Sequence, residues 1–173
     1  MRRQEIADYR AGLADRIQLI DPNLFLTFNF NPPQGGISET SRFISEGWQL
    51  TADAARKKMD TFFCMLLRYT HGRGWYRDPA VLRPLAFGFL ENPKSNFHYH
   101  VLAKLSDPML NAIINRSESA WFKLCPGGQL DWRPIDNLDG AVRYVTKRFY
   151  SEAEVEAMYV FSDPNCGRGR RGK

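Results

Sequence analysis

The chain has 173 residues, 43% of them hydrophobic and 25% charged, with 24 lysines and arginines against 19 acidic residues for a formal net charge of +5. That balance gives one globular domain with an ordinary core and excludes a disordered or low-complexity chain. No apolar run approaches the roughly 20 residues of a membrane-spanning helix, and the N-terminus lacks the apolar stretch of a secretory signal. A cytoplasmic protein with no membrane anchor is expected, and its basic excess suggests a polyanionic partner.

Apolar positions Ile6, Tyr9, Leu13 and Ile17 predict a helix from about Gln4 to Gln18, stopped by Asp21-Pro22-Asn23. Leu24 to Phe30 reads as an aromatic-rich strand, followed by a loop at Asn31-Pro32-Pro33-Gln34-Gly35-Gly36. A long helix from about Thr51 to Tyr69 carries a core stripe at Ala55, Met59, Phe62, Phe63, Leu66 and Leu67. Thr51 or Asp53 can cap it, and His71-Gly72-Arg73-Gly74 ends it. Leu85 to Glu91 and Phe97 to Ala103 make a hairpin around Asn92 to Asn96. A helix capped by Ser106 or Asp107 runs through Met109, Ile113 and Ile114, and Gln129 to Ile135 reads as a strand ending near Pro134. Asp136 or Asn137 caps a last helix through Val142, Tyr144, Val145 and on toward Phe149, with a further turn or two between Glu152 and Tyr159. Hairpin-connected strands with helices that can cover one face predict an α+β sandwich: an antiparallel sheet of about four to five strands flanked by helices. Residues 1–162 form the single domain, and 163–173 form a basic Gly/Arg-rich disordered tail. Cys64, Cys125 and Cys166 are odd in number and widely spaced, which predicts reduced thiols and no C-x-x-C metal site.

His98-Tyr99-His100 lies inside a strand, so the two imidazoles project from one face and Tyr99 from the other. With three histidines in the chain, chance would give about 0.05 such pairs. Two imidazoles side by side on a rigid strand are half of a divalent metal site. Glu91 ends the preceding strand, and hairpin register decides whether it joins them. Pairing with Asn96 puts Glu91 on the histidine face, whereas pairing with Phe97 turns it away. The pattern of Phe87 and Phe89 opposite His100 and His98 does not choose between the two registers. Tyr144 and Lys147 share a helix face. An ordinary phenol, with a pKa of about 10, needs a nearby cation and a polarised phosphate to act as a nucleophile. Tyr-x-x-Lys alone is more often a half-buried tyrosine beside a surface lysine.

Phe25-Leu26-Thr27-Phe28-Asn29 in a strand, His98-Tyr99-His100 in a later strand and Tyr144-x-x-Lys147 on a helix resemble, in this order, the three motifs of HUH endonucleases. The resemblance spans about residues 24–150 and is strongest to the nuclease domains of rolling-circle replication initiators. It implies an RRM-like or ferredoxin-like sandwich, with Mg or Mn held by His98, His100 and an acidic residue that maps onto Glu91. It also implies sequence-specific nicking and rejoining of single-stranded or hairpin DNA at a plasmid or phage origin through a 5′-phosphotyrosine on Tyr144, with Lys147 neutralising the phosphate. The next tyrosine, Tyr150, is six positions on, so the chain looks like the single-tyrosine type.

Arg143, Arg148 and Lys104 are candidate DNA-backbone contacts, and Trp121 and Trp132 are read as core rather than as base-stacking platforms. Thr27 and Asn29 share a strand face and are read as support beneath the site. A phosphate loop of the G-x-x-x-x-G-K type is missing, so unwinding would need a helicase in trans. The competing readings are an HUH-type transposase, whose tyrosine motif usually lacks this lysine, and a non-catalytic α+β nucleic-acid-binding module.

Overall fold

The computed structural model describes residues 3–30, 51–91, 97–147 and 155–161. The loop after Phe30, the hairpin turn, Arg148, Tyr150 and the basic tail lie outside them. Helix α1 (Arg3–Ile20) leads into strand β1 (Leu24–Asn29) and helix α2 (Ala52–His71). Helix α2 starts where the Thr51 hydroxyl accepts the Ala54 N–H, and it stops at Gly72, whose φ of 79° suits a residue without a β-carbon. A 3-10 turn at Trp75–Arg77, which the sequence pattern does not signal, precedes strands β2 (Leu85–Glu91) and β3 (His98–Lys104). Helix α3 (Asp107–Leu124), strand β4 (Gln129–Pro134), helix α4 (Leu138–Thr146) and the two-residue strand β5 (Tyr159–Val160) complete the order. Of the two expected caps of α4, Asn137 serves, its side chain accepting the Gly140 N–H at 2.9 Å.

The strands form one antiparallel sheet in the order β4-β1-β3-β2-β5. Strands β1 to β4 with α2 and α3 reproduce the ferredoxin-like β-α-β-β-α-β arrangement, so the expected α+β sandwich is what the chain adopts. Strand β5 is an addition that pairs Phe87 and Gly88 of β2 with Val160 and Tyr159.

The central strand β3 separates two cores. Tyr99, Val101 and Ala103 join Leu24, Leu26 and Phe28 of β1 in the larger one, beneath α2 and α3. There Phe28 and Phe30 meet the Trp121 ring edge to face at 4.8 and 5.0 Å, each pair adding about 0.5–1.5 kcal/mol beyond its buried area. The Trp121 indole N–H donates to the Asn29 carbonyl at 3.3 Å. A β-carbon at Gly128 would run into that carbonyl, the Cys125 sulfur and the indole nitrogen, so only glycine lets β4 begin this close to β1.

On the other face Leu13 and Ile17 of α1 and Val142 and Val145 of α4 cover Phe25, Phe89 and Leu102. A side-chain bond from Gln18 to Asp139 ties the two helices together. Helices thus cover both faces, not one. The pair α2 and α3 matches the expectation, and the second layer comes from α1 and α4, whose apolar stripes need their own sheet surface.

Two sequence expectations change. Cys125 is a free, buried thiol, but Cys64 is disulfide-bonded; spacing along the chain carries no information about long-range pairing. Phe89 stands opposite His100 as Glu91 stands opposite His98, and Phe87 meets Leu102, so the hairpin adopts neither of the two registers weighed from sequence, Glu91 with Asn96 or Glu91 with Phe97. No helix among the described residues is long and apolar enough to cross a membrane.

Candidate metal centre

Strand alternation places Phe25, Thr27 and Asn29 of β1, His98, His100 and Leu102 of β3, and Phe89 and Glu91 of β2 on one sheet face. Toward Leu102 this face is apolar and covered. Toward His98 it turns polar, and Glu91, His98 and His100 sit there at only 9%, 8% and 8% exposure. Three ionisable groups so nearly buried must satisfy one another or a ligand. The pairing of Glu91 with His98 has the same parity as the pairing with Asn96 considered from sequence, which is why the carboxylate faces the imidazoles.

Glu91 Oε2 lies 2.8 Å from His100 Nε2 and 3.4 Å from His98 Nε2. One ligand atom from each of the three residues falls within 4.8 Å of the others. Two imidazole nitrogens and a carboxylate oxygen converging in this way suit Mn, Mg or Zn chemistry by donor type. The second ring nitrogen of His100 is also engaged: Nδ1 is 3.1 Å from the Thr27 hydroxyl. An ionised Glu91 can only accept, so with His100 neutral its Nε2–H donates to Glu91 and its Nδ1 accepts from the Thr27 hydroxyl. Metal at Nε2 requires the other tautomer, for which the same hydroxyl turns acceptor. Thr27 thus touches His100 from the same sheet face, and Asn29 sits beside His98 on it.

Helix α4 brings the remaining chemistry. Tyr144 Oη is 3.4 Å from His100 Nε2, and its ring packs on His100 and Phe25 at 5.2 and 6.1 Å between centroids. Lys147, one turn on, places its ammonium 3.5 Å from the centre of the Tyr144 ring and 3.3 Å from Glu91 Oε1. Glu91 thus serves the histidines with one oxygen and Lys147 with the other. This Lys147–Glu91 contact is invisible to sequence reasoning, because the two lie on different elements far apart in the chain.

The electrostatics keep His100 and Glu91 in ligand form. Burial, aided by the neighbouring His98 and opposed by Glu91, lowers the His100 pKa to about 4. Burial raises the Glu91 pKa, but the hydrogen bond and charge of Lys147, with His100, outweigh it and hold the carboxyl below its ordinary range. Both groups bind protons less readily folded than unfolded. For His100, stability is complete above its ordinary pKa of 6.5 and falls as pH drops through about 4. Urea midpoints of metal-free protein should therefore decline between pH 7 and pH 4.5. The decline should be shallower in His100→Gln; an identical slope would mean that His100 is not held neutral.

The other candidates are spread out. Arg143 is exposed on α4 beside Tyr144. Lys104 ends β3 four residues beyond His100, some 13 Å along the strand, and its ammonium binds Asp21 at 2.8 Å, so it is not brought to the site. Trp121 is buried, and Trp132 packs half-buried on the same core, as read from sequence. Within the basic run Arg56-Lys57-Lys58, Arg56 holds Asp53 and the Glu156 carbonyl, and Lys58 holds the Leu124 carbonyl. Two of those three cations are tied to the fold. Sequence reasoning missed Arg133, whose guanidinium sits 4.8 Å over the Phe25 ring on the site face. Its alternation with Asp131 and Gln129 in β4 was the available signal.

Searches of protein-family models, of curated proteins and of solved structures find no match to this chain.

Proposed function

We propose that the chain is a metal-dependent, sequence-specific DNA nicking and joining enzyme of the kind its motifs resemble, acting as a rolling-circle initiator on single-stranded or extruded origin DNA. One observation carries the reading: a phenol and an ammonium from one helix turn flank a buried His–His–Glu cluster, with Tyr144 Oη 3.4 Å from His100 Nε2 and Lys147 on Glu91. A structural tyrosine would have no need of such company.

A divalent ion at Glu91, His98 and His100, Mg or Mn, would supply the Lewis acidity that polarises the scissile phosphate. The chain's own residues do the rest. Tyr144, half-exposed at the rim, gives its proton to solvent while the Lys147 ammonium offsets the developing phenolate charge. Its oxygen bonds to phosphorus as the bond to O3′ breaks. The released 3′ oxygen takes up a proton, and the phosphate stays on the 5′ end as a tyrosyl diester. A 3′-hydroxyl reverses the step, restoring the diester and the free phenol. Strand separation would fall to a helicase partner. A cytoplasmic setting goes with this substrate, although the disulfide at Cys64 removes the reduced-thiol support for it.

The test is incubation with single-stranded DNA and Mn²⁺, followed by a denaturing gel. A covalent protein–DNA band is the expected result. Metal-independent DNA retention with no adduct on any sequence would instead indicate a binding module.

A further inference from the structure

Beside Tyr144 the site face opens into a cavity of about 370 Å³. Its apolar wall is formed by Phe25, Ile135 and Ala141, and its rim carries Arg133 and Asp136. Both rim residues are exposed, while the Arg133 guanidinium is laid over the Phe25 ring at 4.8 Å. That stacking fixes a flat cation at the mouth, and Phe25 in turn touches Tyr144.

We infer that this cavity receives one unstacked nucleobase of the DNA strand, from a nucleotide next to the phosphate that Tyr144 attacks. The inference deepens the nicking reading above and rests on it for the identity of the strand. Four features of the cavity point to a base. Its volume lies at the small end of ligand pockets, which suits one nucleoside-sized group. A planar guanidinium backed by an aromatic ring is a stacking surface for a base. Arg133 offers donors and Asp136 an acceptor at the rim, matching the mixed donor and acceptor edge that every base presents. Finally, Tyr144 lines the cavity, so an occupant is within one nucleotide of the attacked phosphorus. The apolar wall makes inorganic phosphate a poor occupant. The first turn of α4 also borders the cavity through Asn137 and Gly140, but the Gly140 N–H is already bonded to the Asn137 side chain.

Arg133 and Asp136 would then choose which sequence is cut, while the histidine cluster and Tyr144 cut it. The experiment incubates full-length Tyr144→Phe, which cannot become covalently attached, with randomised single-stranded oligonucleotides and Mn²⁺, and sequences the retained pool. A preference of at least about tenfold for one base at one position is expected. Adding Arg133→Ala or Asp136→Ala should flatten that preference to within about twofold, whereas Lys123→Ala, on the opposite face of the sheet, should leave it. Circular dichroism checks that each variant is folded; both rim residues are exposed, so folding should hold.

No base preference at any position, or a preference untouched by both rim variants, overturns the pocket. A parallel adduct assay with Tyr144 intact separates the two ideas. Adducts whose base preference ignores Arg133 and Asp136 overturn the pocket alone. An Arg133-dependent preference in retained DNA with no adduct overturns the nicking reading and supports the pocket.

Discussion

In Tyr144→Phe the covalent protein–DNA adduct is expected to vanish, with single-turnover strand cleavage falling at least about 10³-fold, because among the described residues no other phenol stands beside the cluster. The substitution removes one atom. The ring that remains still packs on His100 and Phe25 and still presents its face to the Lys147 ammonium. The residue is 41% exposed and its hydroxyl makes only a long contact of 3.4 Å, so thermal stability should change by less than about 0.5 kcal/mol. DNA retention and Mn²⁺ affinity should survive for the same reason. Loss of the adduct with binding intact would separate a nucleophile from a structural tyrosine. An adduct that persists at the wild-type level would assign the nucleophile elsewhere.

Periodicity made most of this site legible. The stripe of α2 is visible because one helix face must be apolar, and the shared face of His98 and His100 follows from strand alternation alone. The pairing of Tyr144 with Lys147 follows from helical spacing in the same way. What could not be read were quantities set by chain closure. Glu91 joins the histidines only because β2 and β3 close with it opposite His98, and a shift of one residue would have turned it into the opposite core. The contacts of Lys147 with Glu91 and of Arg133 with Phe25 depend on how α4 and β4 dock against the sheet. Strand β5 is two residues long, too short to leave a pattern, and it is held by edge pairing with Phe87 and Gly88. The order of the elements was thus visible, while the closest contacts of the candidate site were not.

Metal binding should respond to Glu91 and Lys147 in opposite directions. His98→Ala removes one of three converging donors and Glu91→Gln replaces the anionic one with a neutral amide oxygen, and Mn²⁺ affinity by titration calorimetry should fall at least about 100-fold, beyond the 10–100-fold typical of losing a supporting residue. Thr27→Val, which removes the hydroxyl on His100 Nδ1 but no donor, should fall in that milder range. Lys147→Met should do the reverse. Its ammonium lies 3.3 Å from Glu91 Oε1, where it repels an incoming cation and competes for the carboxylate, so its removal should tighten Mn²⁺ binding several-fold. The same change should slow adduct formation, because the phenolate and the phosphate lose their neighbouring charge. Tighter metal with slower chemistry is a combination that a general destabilisation of the site cannot produce. If Mn²⁺ affinity is unchanged in Glu91→Gln and His98→Ala, the cluster is a self-satisfied ion-pair network and the metal must bind elsewhere or not at all.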